Sequence, residues 1–298
     1  MFEKKTITPP SPHPLTYHLL GAGVLLVNKF RYALRGYREP RPFAVSDEQR
    51  AIDYDRHVVT NWLDALHDYT RQTVSGKVVL ELGPGADLGP ALFLLNQGAK
   101  HYLTVDANRL IDQTSHTFYQ TLLSDFEDGP ELKTEIEKTL SGNGDRIQYI
   151  VDPQFQLENI QTEGVDVVVS QAAFEHFSDI QRTFSQLSQI VKPGGVLIAE
   201  VDLMTHTGAM RSRDPLNIYR YSDFFYRLMN FSGIPNRFRP FEYTQALHTN
   251  DWYNVEVIPL QTLPSTYVDQ IRPQLARRFR SLDTDMHILS FLLRATKR

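Results

Sequence analysis

One stretch constrains this chain more than any other: Lys77-Val-Val-Leu-Glu-Leu-Gly-Pro-Gly-Ala-Asp-Leu-Gly89. A β-branched and leucine run ends in an acid, a glycine-rich turn follows, and an apolar segment runs from Pro90 to Gln97, with Gly98 placed to stop it. That succession predicts a buried strand, a tight turn and a helix N-terminus. Gly83 and Gly85 permit positive φ and allow close approach to the backbone, while the free N–H groups of the next helix face the same spot.

Two ligand classes use this geometry, and the spacing separates them. A dinucleotide turn reads G-x-G-x-x-G and seats a pyrophosphate on the helix. Here Gly83-Pro84-Gly85 is followed, three positions on, by Leu88, and Glu81 closes the strand two residues before Gly83. A carboxylate there repels a pyrophosphate and suits a ligand carrying an ammonium and a sulfonium. The stretch resembles motif I of the class I S-adenosylmethionine (SAM) methyltransferases, roughly E/D-x-G-x-G-x-G. The next predicted strand ends in Asp106, twenty-five residues after Glu81, where both ligand classes place the acid that grips a ribose diol.

Beyond this, strands are predicted at 77–82, 100–105, 146–151, 165–170 and 195–202, with helical patterns at 111–126, 130–140 and 179–191 between them. Such alternation means a parallel sheet covered on both faces. Val165-Asp166 and Lys192-Pro-Gly-Gly195 resemble the start of the fourth strand and the turn before the fifth in the same family. Val255–Leu260 and His287–Ala295 read as two further strands, with a helix around 265–281. The expected fold is α/β: a doubly wound, seven-stranded, mostly parallel, Rossmann-like sheet. Residues 1–75 read as a helical N-terminal cap and 76–298 as the cofactor-binding domain, with 204–250 inserted after the fifth strand.

Within the cap, residues 1–16 read as a loose leader, anchored later or disordered. Tyr17–Tyr37 has helical apolar spacing and Lys29, Arg31 and Arg35. Residues 1–45 hold seven Lys/Arg against two Asp/Glu. A basic amphipathic helix suits packing over its own domain or lying on an anionic membrane, and both readings stay open. Arg38-Glu-Pro-Arg-Pro42 breaks this segment, and Ser46-Asp-Glu-Gln49 caps a long helix. The insertion 204–250 carries six arginines, no lysine and nine aromatics. It reads either as a substrate lid that captures an anionic or aromatic acceptor, or as a subdomain with its own core.

The bounds are simple. A net charge of −4 speaks against a general nucleic-acid binder, and the absence of cysteine excludes disulfides and thiolate chemistry. A cytoplasmic location is compatible with that. No apolar run approaches the roughly eighteen residues of a membrane span, and no secretory leader is read.

The resemblance implies an enzyme that moves the methyl group of SAM to a small molecule, releasing S-adenosylhomocysteine; the sequence does not name the acceptor atom, and oxygen is preferred. It implies cofactor contacts at Glu81, Gly83, Pro84, Gly85 and Asp106, with Asp152 after the third strand toward adenine. Ser170 and Gln171 then stand at the end of the fourth strand, near the methionine moiety. A macromolecular acceptor, other chemistry on the same fold, or an inactive binding module are the alternatives. Phe174-Glu-His-Phe177 resembles the "l-E-H-v" stretch of type 11 enzymes, which makes His176 the expected general base, with His206 second and Asp202 available to orient it. Relatives that hold a divalent metal there carry a further Glu where this chain has Ala172, so no metal is expected.

Overall fold

The computed structural model describes residues 3–10, 14–35, 47–124, 126–231 and 233–298. Its sheet runs β1 (Lys5–Thr6), β2 (Val78–Leu82), β3 (His101–Asp106), β4 (Ile147–Val151), β5 (Val165–Gln171), β6 (Val191–Asp202), β7 (Trp252–Thr262) and β8 (Ile288–Lys297). The spatial order is β1-β7-β8-β6-β5-β2-β3-β4. Only β8 is antiparallel to its neighbours, β6 and β7. The expected seven strands are therefore present, in doubly wound order, and an eighth adds to the edge. That eighth anchors the leader, because Lys5 and Thr6 pair in parallel with Gln261 and Thr262.

β2 lies at the centre with all five residues buried, as a strand covered on both faces must be. Over one face pack α2 (Glu48–Thr70), α3 (Gly89–Asn96), α4 (His116–Leu123) and α5 (Gly129–Leu140). Trp62, Leu92 and Phe118 join Val79, Tyr102 and Val167 of the sheet in one core there. The other face carries α6 (Ile180–Ile190) and α9 (Pro240–Thr249), whose Phe184, Leu187 and Tyr243 meet Leu80, Val168 and Leu197. The boundary at 75 and 76 thus joins segments that share a core.

Local signals explain most helix ends. Asp47 accepts from the Arg50 N–H at 3.3 Å and caps α2, while Ser46 and the break at 38–42 lie outside the described residues. Asp179 caps α6 by accepting from the Arg182 N–H at 2.9 Å. The single helix expected over 265–281 is instead α10 (Ser265–Ile271) followed by short 3-10 turns. Pro273 cannot donate to the helical ladder, which stops it there.

The insertion builds a third core. Leu216, Tyr219, Tyr226 and Ile234 pack with Tyr267, Ile271, Leu275 and Phe279 from beyond β7. Against it lies α1 (Pro14–Arg35), seated so closely that a Cβ on Gly21 would meet Asn217 Oδ1 at 2.0 Å. Asn217 Nδ2 donates to the Tyr17 carbonyl, and the Tyr221 hydroxyl to that of His18, both at 2.9 Å.

Three of the six insertion arginines, Arg220, Arg237 and Arg239, are held by the fold, which narrows the anion-capture reading. Arg220 and Asp214 form a wholly buried ion pair at 2.7 Å. Arg237 donates to the Tyr221 carbonyl at 2.6 Å and packs over the Tyr226 ring. Arg239 is fully buried; it donates to the carbonyls of Thr284, Asp285 and Ile288 and to the Tyr219 hydroxyl at 2.6 to 3.1 Å. Removing that guanidinium strands several buried acceptors at once. Arg239→Ala is expected to lower stability by about 3 kcal/mol or more in urea unfolding. A loss under about 1 kcal/mol would show that these carbonyls find other partners.

Candidate functional site

The central strands end at one cavity of about 1150 Å³. Its floor is the turn after β2, where Gly83 and Gly85 have φ of +76° and +75°. Glycine is required at 83 twice over, since a Cβ there would also sit 2.7 Å from Ala173 Cβ. Pro84, Asp106, Asn108, Phe155, Gln171 and His176 line the walls, and Asp223, Tyr226, Arg227, Phe231 and residues 233–238 of the insertion form the far side. The cavity therefore joins the glycine turn and the acid after β3 to the insertion in a single space.

Asp106 is oriented by the Asn108 N–H, which donates to its Oδ1 at 2.9 Å. Gln171 donates to Glu200 Oε2 at 2.8 Å and keeps its place in the wall. Three other expected cofactor residues stand behind the lining. Asp152 accepts from the Gln154 and Gln156 N–H groups at 2.8 and 3.2 Å, so its carboxyl shapes the loop, and Pro153, Gln154 and Phe155 face the cavity instead. Ser170 is fully buried and donates to the Leu82 carbonyl at 3.0 Å. Glu81 is buried under the turn and accepts from the Tyr102 hydroxyl.

Burial, with Asp87 and Asp106 nearby, pushes the Glu81 carboxyl up to about 8, against the Tyr102 bond that lowers it. Glu81 is thus largely protonated at neutral pH in the free protein. Two acids that the sequence reading passed over stand closer to the ligand space: Asp87 and Asp55 both line the cavity. Asp87 Oδ1 accepts from the Gly89 N–H at 3.0 Å, and a Cβ on Gly89 would meet Asp55 Oδ2 at 2.0 Å. The N-terminus of α3 is therefore fronted by the chain's own carboxyl groups, which leaves no place for a pyrophosphate and favours a cationic ligand. Asp87 was visible, two residues past Gly85 in the turn. Asp55 sits mid-helix in α2 and carries no local signal.

At the C-terminal ends of β5 and β6 the two expected catalytic histidines come together, their ring centroids 4.9 Å apart. His176 lines the cavity; His206 stands behind it, Nε2 at 3.5 Å from Asp202 Oδ2 and 3.9 Å from Glu175 Oε1. Burial, then the neighbouring His206, brings the His176 imidazole down to about 4. Glu175 is 1% exposed, and among the described residues neither carboxyl oxygen has a hydrogen-bond partner; burial and Asp202 hold it well above the usual carboxylate range. Glu175, His176 and His206 each offer one ligand atom, all within 4.8 Å of one another. Two imidazoles with a carboxylate suit a borderline divalent cation.

Residues 54–257, well over half the chain, match the methyltransferase-domain family. No curated protein matches. Among solved structures, the chain is similar to an S-adenosylmethionine-dependent methyltransferase from Mesorhizobium loti (14% identity over 78% of this chain and 96% of that one, TM-score 0.42). It is also similar to phosphoethanolamine N-methyltransferase 2 from Haemonchus contortus (13% identity, 82% and 52%, TM-score 0.45). A third is the CurJ carbon methyltransferase (14% identity, 95% and 67%, TM-score 0.46). Likeness at this level says nothing about the acceptor.

The Glu81 carboxyl makes a pH-dependent contribution whose sign follows from its shift. Its folded value is raised above the ordinary 4.5, so between 4.5 and about 8 the unfolded chain gives up this proton first, and stability falls as pH rises. Glu81→Gln removes the titration and keeps an acceptor for Tyr102. The variant's melting temperature relative to the parent is expected to be clearly higher at pH 8 than at pH 5, without ligand. An equal difference at both pH values overturns the assignment.

Proposed function

The chain belongs to the methyltransferase-domain family, and from that premise, with S-adenosyl-L-methionine as donor, we propose that it methylates a small-molecule acceptor, oxygen preferred over nitrogen or carbon. The observation that carries this reading is the single cavity that runs from the glycine turn to Arg227, Phe231 and residues 233–238 of the insertion. Its size exceeds the usual single-ligand range of about 300–1,000 Å³, so donor and acceptor fit side by side. In this arrangement Gly83, Pro84 and Gly85 lie against the methionine and ribose, Asp106 accepts from the ribose diol, and Gln154 and Phe155 flank the adenine. Asp87 and Asp55 supply negative charge toward the ammonium and sulfonium.

Methyl transfer is a displacement at carbon: the acceptor oxygen bonds to the methyl as the carbon–sulfur bond breaks, and sulfur keeps the electron pair. Alignment of the three atoms supplies most of the rate. The acceptor's proton passes to His176, which is neutral above about pH 5 and can accept it. Residues 204–250 act as the substrate lid over this step. Arg227 and Arg278 face the cavity with Phe231 and Phe238 beside them, which suits an anionic or ring-bearing acceptor. A cytoplasmic setting agrees with a chain that holds no cysteine. No helix among the described residues is long and apolar enough to cross a membrane.

A second reading rests on the unpartnered Glu175 carboxyl. Glu175, His176 and His206 would hold a divalent cation, which would lower the pKa of an acceptor hydroxyl.

Two measurements test the proposal. Asp106→Ala should weaken SAM binding by about tenfold or more in calorimetry, because the buried diol loses its acceptor; unchanged affinity removes the main support. His176→Ala should cut turnover about a hundredfold at saturating SAM with cofactor affinity intact. With His176 as base, chelator changes nothing, and kcat falls only as pH drops toward about 4, where the imidazole takes its own proton. A chelator-sensitive rate selects the cation reading, and a loss under tenfold with no chelator effect leaves alignment alone.

A further inference from the structure

The outer face of α1 is apolar in a way that packing against the other described residues does not explain. Tyr17, Gly21 and Leu25 point to the insertion. On the other side Leu15, Leu19, Leu26, Phe30 and Leu34 are 43% to 84% exposed. At about 100° per residue these five share an arc of roughly 100°, and exposed Leu20 and Val27 widen it to about 140°. The helix contains no acid; Lys29 lies just beyond one edge of the arc and Arg31 just beyond the other. Large apolar side chains flanked on both sides by cations are what an interfacial helix presents to a bilayer.

The neighbouring helix extends the face. In α8 (Asp223–Leu228), Phe224 and Leu228 are 75% and 53% exposed, and the Lys29 ammonium donates to the Leu228 carbonyl. The same segment turns Asp223, Tyr226 and Arg227 into the cavity. One layer of the insertion thus separates the apolar face from the acceptor end of the site. Charge decides between occupants. Across a two-fold contact between copies, each α1 would meet its own positive counterpart, which is repulsive. An anionic lipid surface complements the +5 of residues 1–45, in a chain whose total is −4.

We propose that α1, with Phe224 and Leu228, docks the protein onto an anionic membrane surface, so that the cavity takes an amphipathic acceptor from the bilayer. The docking stands on its own geometry; the acceptor clause rests on the methyl-transfer reading. Docking lays the exposed arc about 5–10 Å into the headgroup boundary, with Lys29 and Arg31 among the lipid phosphates.

The test is co-sedimentation of the full chain with phosphatidylcholine vesicles, with and without phosphatidylglycerol, at low and high salt. The parent protein should bind the anionic vesicles and release with salt. The variant Leu19→Asp/Phe30→Asp should partition about tenfold less or worse. Arg31→Glu should lose the preference for phosphatidylglycerol. SAM binding by calorimetry, unchanged in both variants, shows that the fold is intact. Equal binding of parent and double variant overturns the proposal. So does binding indifferent to phosphatidylglycerol, or a parent that ignores vesicles while the double variant dissociates a dimer. Vesicle binding without SAM binding sinks the methyl-transfer reading alone; SAM binding without vesicle binding sinks the docking alone.

Discussion

The contact on which the site depends is between two loops that leave adjacent parallel strands. β2 and β5 pair at the centre of the sheet, and their following connections go to opposite faces. The loops part at their C-terminal ends, and the gap between them is the crevice that doubly wound sheets offer to ligands. Gly83 and Ala173 face each other across that gap with no room for a further methyl group. Any side chain at 83 would push the loops apart or close the floor. The glycine is therefore as much a packing requirement between strands as a conformational one within the turn.

Charge around the crevice is arranged by burial. Glu81 lies deep enough to keep its proton near neutrality, while Asp87 and Asp55 front the start of α3. The acid that most resembles the family motif thus becomes a neutral hydrogen-bonding partner of Tyr102. At the other end of the crevice, His176 and Glu175 are both driven toward their neutral forms by desolvation. A neutral imidazole and a neutral carboxyl can sit close together without mutual repulsion. A proton or a cation arriving there changes the balance, which is why both readings of the chemistry converge on these residues.

The insertion shows how one segment serves the core and the site together. Buried arginines would be costly without partners, and here they find ion pairs and chain carbonyls. Arg220 and Arg239 tie the insertion to itself and to the approach to β8. The rigid side so formed supports α1, and the opposite side lines the cavity.

The local sequence was sufficient for everything governed by short-range physics. The strand–glycine–helix turn at 77–97, the acid at 106, the alternation that yields a parallel sheet and the late β7–β8 pair are written in neighbouring residues, because turns, caps and periodicity act over a few positions. The tertiary structure alone decided the rest. Lys5 and Thr6 became a strand only because the β7 edge offered unpaired groups. Asp152 and Ser170 turned from the cavity because nearer backbone groups claimed them, and Asp55 entered it from a helix that precedes the motif. The arginines of 204–250 could be counted in the sequence, but whether each met an acid, a carbonyl or open space depended on chain segments far away. Helical spacing gave α1 its apolar character; only packing decided which side of it stayed exposed.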